Sequence, residues 1–167
     1  MRQVPKHFKL SGCALAASIL VTACGGGASP PNAVPGSSGF AIDDYLSGAT
    51  VLCDSNNNSS IDVGEVTVTT DSSGFFKFGA ACTSSIVVTG GKNIDTGLDF
   101  TGKLKAPAGA TIVTPLTTLL VEGMTLDQVN MAFGLPPGTD VKSLDPARKS
   151  DGALVNADLF KKTLALQ

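Results

Sequence analysis

Between Cys53 and Glu65 the chain reads CDSNNNSSIDVGE, and oxygen-bearing side chains recur through it at a regular spacing. Counted from Asp54, they fall at positions 1 (Asp54), 3 (Asn56), 5 (Asn58), 7 (Ser60), 9 (Asp62) and 12 (Glu65). A short loop with an oxygen at every second residue can gather those side chains around one point. A hard cation such as calcium takes six to eight oxygens at about 2.4 Å, so the spacing and the donor type agree. Asp54, Asp62 and Glu65 bring a local charge of −3, which bound calcium would lower to −1. The same composition also suits a solvated turn, because Asn, Asp and Ser bond their own backbone without any metal. Calcium is the reading adopted, with the solvated turn as its alternative.

The loop resembles an EF-hand loop, which takes ligands from these positions, and Ile61 matches the apolar residue found at position 8. Position 6 departs from it, since Ser59 stands where that family has Gly. A side chain there must accept a left-handed φ or move the backbone, which predicts some loss of affinity. The flanks are not helical. Gly48-Ala49-Thr50-Val51-Leu52 and Val66-Thr67-Val68-Thr69-Thr70 are rich in β-branched residues and read as strands. Strand, acidic loop and strand together resemble the calcium-stabilised B-type repeats of bacterial surface proteins, through Asp54, Asn56, Asn58, Asp62, Gly64 and Glu65. The T-D-x-x-G-x-F run from Thr70 to Phe76, with Gly48-Ala49-Thr50-Val51, is similar to carboxypeptidase-regulatory-like modules. The likeness covers roughly residues 40–90. It implies a small antiparallel β-sandwich acting as a spacer or binding platform without catalysis.

Arg2, Lys6, His7 and Lys9 precede an apolar, small-residue run from Leu10 to Ala23, and no acid occurs in this segment. The run of 14 residues is shorter than the roughly 20 needed to cross a bilayer, and the segment reads as an export signal. It ends in Leu20-Val21-Thr22-Ala23-Cys24, which resembles the bacterial lipoprotein signal. That resemblance implies cleavage before Cys24, a thioether lipid on its sulfur and acylation of the new amino terminus. Gly25 follows where Asp would imply retention at the inner membrane, so the implied destination is the outer membrane. The alternative is an ordinary secretory signal with an incidental Cys24.

Of the four cysteines, Cys13 leaves with the signal and Cys24 takes the lipid. Cys53 and Cys82 are left as an even pair in an exported chain, which predicts a disulfide over two free thiols. Residues 25–39, GGGASPPNAVPGSSG, have no apolar periodicity and read as a flexible tether.

Phe76 and Phe78 alternate onto one face, and Ile86-Val87-Val88 reads as a buried strand. From residue 113 the period changes to that of helices. Thr114 caps, Pro115 opens the helix, and Leu116, Leu119 and Leu120 form a stripe ending at Gly123. Thr125 caps a second helix with Leu126, Val129 and Phe133 on one face and Gly134 as its stop. A third, from about Gly152 to Leu166, is expected to place Ala153, Ala157, Phe160 and Leu164 on one face. That pattern reaches Gln167 without a cap, and the chain reads as a fragment or a truncated member of a longer family. Residues 97–120 are similar to a stretch found in bacterial lipoproteins and large surface proteins, which implies surface localisation only.

The expected fold is therefore mainly β with an α appendage: a small antiparallel β-sandwich-like module followed by two or three short helices. Residues 1–23 are the signal, 24–39 the tether, 40–104 the calcium-loop β-module and 105–167 the helical region.

Removing Arg2, Lys6 and Lys9 from 12 basic residues leaves nine against 14 acids, so the mature chain carries −5 and no histidine. Imidazole-dependent nucleophiles and the usual zinc chemistry are excluded. An acidic chain with no Trp and one Tyr is not a nucleic-acid binder. Asp95 and Asp99 are an acid pair of the kind hydrolases use, but 14 acids generate many such pairs. The expectation is a non-catalytic, surface-anchored lipoprotein with a calcium-stabilised β-module, used in binding a protein or polysaccharide, in adhesion or in envelope structure. The alternative is an accessory module of a secreted hydrolase whose catalytic part lies outside this chain.

Overall fold

The computed structural model describes residues 36–147, 149–150, 153–154 and 157–166. The export signal, Cys24 and the tether up to residue 35 lie outside them. Along the described residues run β1 (Ser38–Ala41), β2 (Leu46–Ser47), β3 (Thr50–Asp54), β4 (Val66–Thr69), β5 (Phe75–Lys77), β6 (Ser85–Thr89), β7 (Lys92–Asn93), β8 (Lys103–Ala106) and β9 (Ile112–Val113). Then come α1 (Pro115–Val121), α2 (Leu126–Phe133), β10 (Lys149–Ser150), β11 (Ala153–Leu154) and α3 (Ala157–Leu164). The fold is mainly β with three short helices, as the residue pattern predicts.

One sheet has the order β4-β3-β6-β8, antiparallel throughout, and a second the order β5-β1-β9. In the second, β1 is antiparallel to β5 and parallel to β9. Alternation along the strands builds the core between them. Val51 of β3, Ile86 and Val88 of β6, and Leu104 and Ala106 of β8 meet Ala41 of β1, Phe76 of β5 and Val113 of β9. Phe78 joins them, its ring centroid 5.7 Å from that of Phe76 in an edge-on pair. Asp71 shapes the turn into β5 by accepting from the Ser73 hydroxyl and the amides of Ser73 and Phe75, and Gly74 supplies φ +81°.

Strands continue past residue 104. β9 lies within the segment read from sequence as helical, and it adds to β1 beside Phe40 and Ala41. α1 then packs on β8, where Thr117 Oγ1 donates to the Lys105 carbonyl at 2.7 Å. Thr114 and Thr117 form a reciprocal capping box around Pro115, and Thr125 with Gln128 does the same for α2, which ends on Gly134 at φ +68°. Leu116, Val129, Val141 and Leu159 form the core between the helices.

Two expectations need correcting. The third helix starts at Ala157, after a β10–β11 pair in which Ser150 faces Ala153. With Ala153 in a strand, the helical phase is set later. Leu159 and Thr163 are buried, while Ala157 and Leu164 are exposed and Phe160 is half-buried.

The tether also ends earlier than residue 39, because Ser38 and Gly39 pair with Lys77 and Phe76. Glycine is required at 39 by close approach rather than by flexibility: a Cβ there would lie 2.1 Å from the Thr111 carbonyl oxygen. Gly39→Ala should therefore destabilise by about 1–3 kcal/mol, the usual cost of overpacking. Gly79→Ala, with open space around it, should change little. Urea unfolding of both variants checks the contrast.

Candidate metal centre

Asp54 is the last residue of β3 and Val66 the first of β4, and Cys53 pairs directly with Val66. The hairpin thus brings positions 1 and 12 of the loop side by side, the task that helices perform in an EF-hand. β6 flanks β3 on its other side, with Asp54 opposite Ser85. The expected disulfide between Cys53 and Cys82 is present, closing across a sequence separation of 29. A loop of that size stabilises by about 3.5 kcal/mol in the chain-entropy account. The bridge anchors the residue next to Asp54, and the Cys82 amide in turn donates to Ser37 Oγ at 2.9 Å.

Within the loop each acid has donors. Asp54 is 1% exposed, and its two oxygens accept from the amides of Asn58 (3.2 Å) and Ser59 (2.8 Å). Asp62 Oδ2 accepts from the side-chain amides of Asn56 (2.8 Å) and Asn58 (2.6 Å), so positions 3, 5 and 9 converge on one atom. Glu65 Oε1 accepts from the Ser55 amide (2.7 Å) and hydroxyl (2.9 Å), and its Oε2 from the Asp62 amide at 3.1 Å. Asn56 and Asn58 also turn the backbone, their Oδ1 atoms accepting from the amides two residues ahead. Ser60 is exposed.

These bonds set the acidities. The Asn56 and Asn58 side chains hold Asp62 below the usual carboxylate range. For Glu65, desolvation pushes upward, but bonds from Asp62, Ser55 and Asn56 outweigh it and the net shift is downward. Both acids are ionised at neutral pH, and the loop's hydrogen bonds weaken only as acid protonates them.

All six predicted ligand residues share one loop, and the donors are oxygens of the type calcium prefers. Asn56, Asn58 and Asp62 are in mutual contact. Asp54 and Glu65 close the loop ends, each committed to N–H donors. Among the described residues no group of three or more carboxylate, imidazole or thiolate side chains is gathered closely enough to hold a metal ion.

Ser59 adopts φ +59°, the left-handed conformation its position demands, and Asn57 adopts φ +58°. Three supporting residues escape the ligand spacing. Ser55 bonds Glu65 from position 2. Asn57 Oδ1 accepts from Ser85 Oγ at 2.9 Å. Lys103 Nζ donates to the Ser59 carbonyl at 2.6 Å. Ser55 and Asn57 lie within the loop itself, whereas Ser85 and Lys103 arrive from β6 and β8.

Asp99 is ion-paired with Lys92 on the surface. Among the described residues no helix is long and apolar enough to cross a membrane. No protein-family profile, curated protein or solved structure matches the chain.

A left-handed non-glycine residue costs about 1 kcal/mol. Ser59→Gly should therefore raise the stability of the calcium-free domain by up to about 1 kcal/mol, read as a higher Tm in EDTA. An unchanged or lower Tm would contradict the strain at this position.

Proposed function

We propose that the chain is a lipid-anchored bacterial envelope protein whose β-module is stabilised by one calcium ion. Asp54, Asn56, Asn58, Ser60, Asp62 and Glu65 hold the ion. The module serves binding, adhesion or envelope structure and carries out no catalysis. The observation that supports calcium most directly is the convergence of positions 3, 5 and 9 at Asp62 Oδ2, beside a hairpin end that sets positions 1 and 12 next to each other. A cation at Asp62 takes the place of two amide donors, and side-chain amides present an oxygen as readily as a nitrogen. Its chemistry here is electrostatic: it offsets three carboxylates on one loop and joins β3 to β4 through oxygens instead of through an apolar core.

The anchor rests on Leu20-Val21-Thr22-Ala23-Cys24 and outer-membrane placement on Gly25. The partner is a protein or polysaccharide met at the envelope surface. The metal site lies at the tip of a strand pair, where Ile61 and Val63 stand in solvent at 60% and 107% exposure. An ordered tip of this kind presents apolar side chains at little entropic cost on binding.

Melting residues 24–167 carrying Cys24→Ser, in EDTA and in millimolar calcium, tests the metal. Calcium should raise Tm by several degrees, and Asp54→Ala with Glu65→Ala should remove the rise. A wild-type Tm indifferent to calcium would refute the reading. Labelled palmitate should enter the full chain in a bacterial host, and Cys24→Ser should abolish labelling; label retained in that variant would refute the anchor.

A further inference from the structure

A second feature, sharing no residue with the loop, lies where β1 turns into β2. Ile42 and Tyr45 pair across a bridge, leaving Asp43 and Asp44 as the turn, with Asp44 at φ +20°. Asp43 is 8% exposed, and its Oδ1 is buried without a hydrogen-bond partner. None of the ion pairs among the described residues includes it. Burial, helped by the adjacent Asp44, raises its pKa to about 6, so the carboxylate is charged at neutral pH. A buried charge without a counter-charge or donor is costly, and proteins retain one mainly where something else completes it.

Asp43 lines a cavity of about 600 Å³. Small-molecule sites typically span about 300–1,000 Å³, with mostly apolar walls and a few polar groups. Phe100, Leu104 and Leu119 supply such a wall, and the lining residues Leu98, Leu164 and Leu166 are left 69%, 40% and 44% exposed. The other charged residues of the lining are Asp99 and Lys103, and both have partners: Asp99 is paired with Lys92, and Lys103 donates to the Ser59 carbonyl. Among the described residues, nothing answers the negative charge that Asp43 gives the cavity against hydrocarbon. An anionic ligand would add a like charge, and a neutral apolar one would leave the carboxylate unpaired.

We propose that this cavity binds a small organic cation, a primary ammonium group on a compact apolar body. The ammonium donates to Asp43, and the hydrocarbon packs on Phe100, Leu104 and Leu119. The ammonium brings three N–H donors and one positive charge, which suits a carboxylate lacking both. The pairing requires ionised Asp43, so affinity falls as pH drops through about 6. The charged residues near Asp43 are Asp44, its neighbour in the turn, and Asp99 and Lys103 of the lining.

Calorimetric titration of the full chain in EDTA with cyclohexylamine tests this, with neutral cyclohexanol as the isosteric control. EDTA separates the result from the calcium reading, which stands or falls independently. Cyclohexylammonium should bind at neutral pH, and at least about tenfold more tightly than cyclohexanol. Asp43→Asn should weaken it by a similar factor, as should acidification of the wild type to about pH 5, and Leu119→Trp should fill the cavity and abolish binding. No binding by millimolar amine, or equal affinity for amine and alcohol, would overturn the proposal. Undiminished binding to a folded Asp43→Asn would do the same, and the wild-type comparisons decide the matter even if that variant does not fold.

Discussion

The pairing of β3 with β4 on one side and β6 on the other is the constraint on which the remaining structure depends. Val51 points into the core between the sheets, while the same strand carries Asp54 to the sheet's end, where it is buried and bonded to the amides of Asn58 and Ser59. Because Cys53 faces both Val66 and Ile86, the loop's two ends and the neighbouring strand are registered by one residue. The disulfide to Cys82 holds that residue covalently. A slip of one position would turn Val51 out of the core, so the hydrophobic pattern enforces the register that the loop needs.

A second constraint is the close approach of β1 to its neighbours. β1 is buried on both faces: Ala41 meets the sandwich core, while Phe40 and Ile42 join Ile112, Ala147 and Phe160 in a separate cluster. Gly39 admits the Thr111 carbonyl where no side chain would fit. By accepting β9 as a parallel partner and β5 as an antiparallel one, β1 ties the segment that launches α1 to the Phe75–Lys77 strand. The helical part is thus integrated with the sheets, and the Asp43 cavity is formed jointly by the β1–β2 turn, the 98–104 segment, α1 and α3.

Features fixed by local chemistry were legible in the chain. The Thr114 and Thr125 caps, the Gly134 stop, the Asp71 and Gly74 turn, the Phe76 and Phe78 face and the left-handed Ser59 each depend on residues within a few positions of one another. The misjudged features depend on partners far away. Gly36 and Gly39 read as linker because glycine is common in linkers, yet backbone atoms of Phe78 and Thr111 are what require them. The third helix was misplaced because its apolar spacing was counted from Ala153, which pairs with Ser150 instead.

The site divides in the same way. Alternating oxygen side chains from Asp54 to Glu65, and the positions of Cys53 and Cys82, are properties of order along the chain. The sequence by itself determined the run of oxygen side chains in the loop, the disulfide pair and the mainly β class with short helices, because spacing and periodicity act locally. Tertiary structure alone decided that Lys103 braces Ser59, that Asn57 holds Ser85 and that Asp43 Oδ1 is buried without a hydrogen-bond partner among the described residues. Those outcomes depend on which distant strands become neighbours, and no residue's type or local spacing encodes the identity of the backbone packed against it.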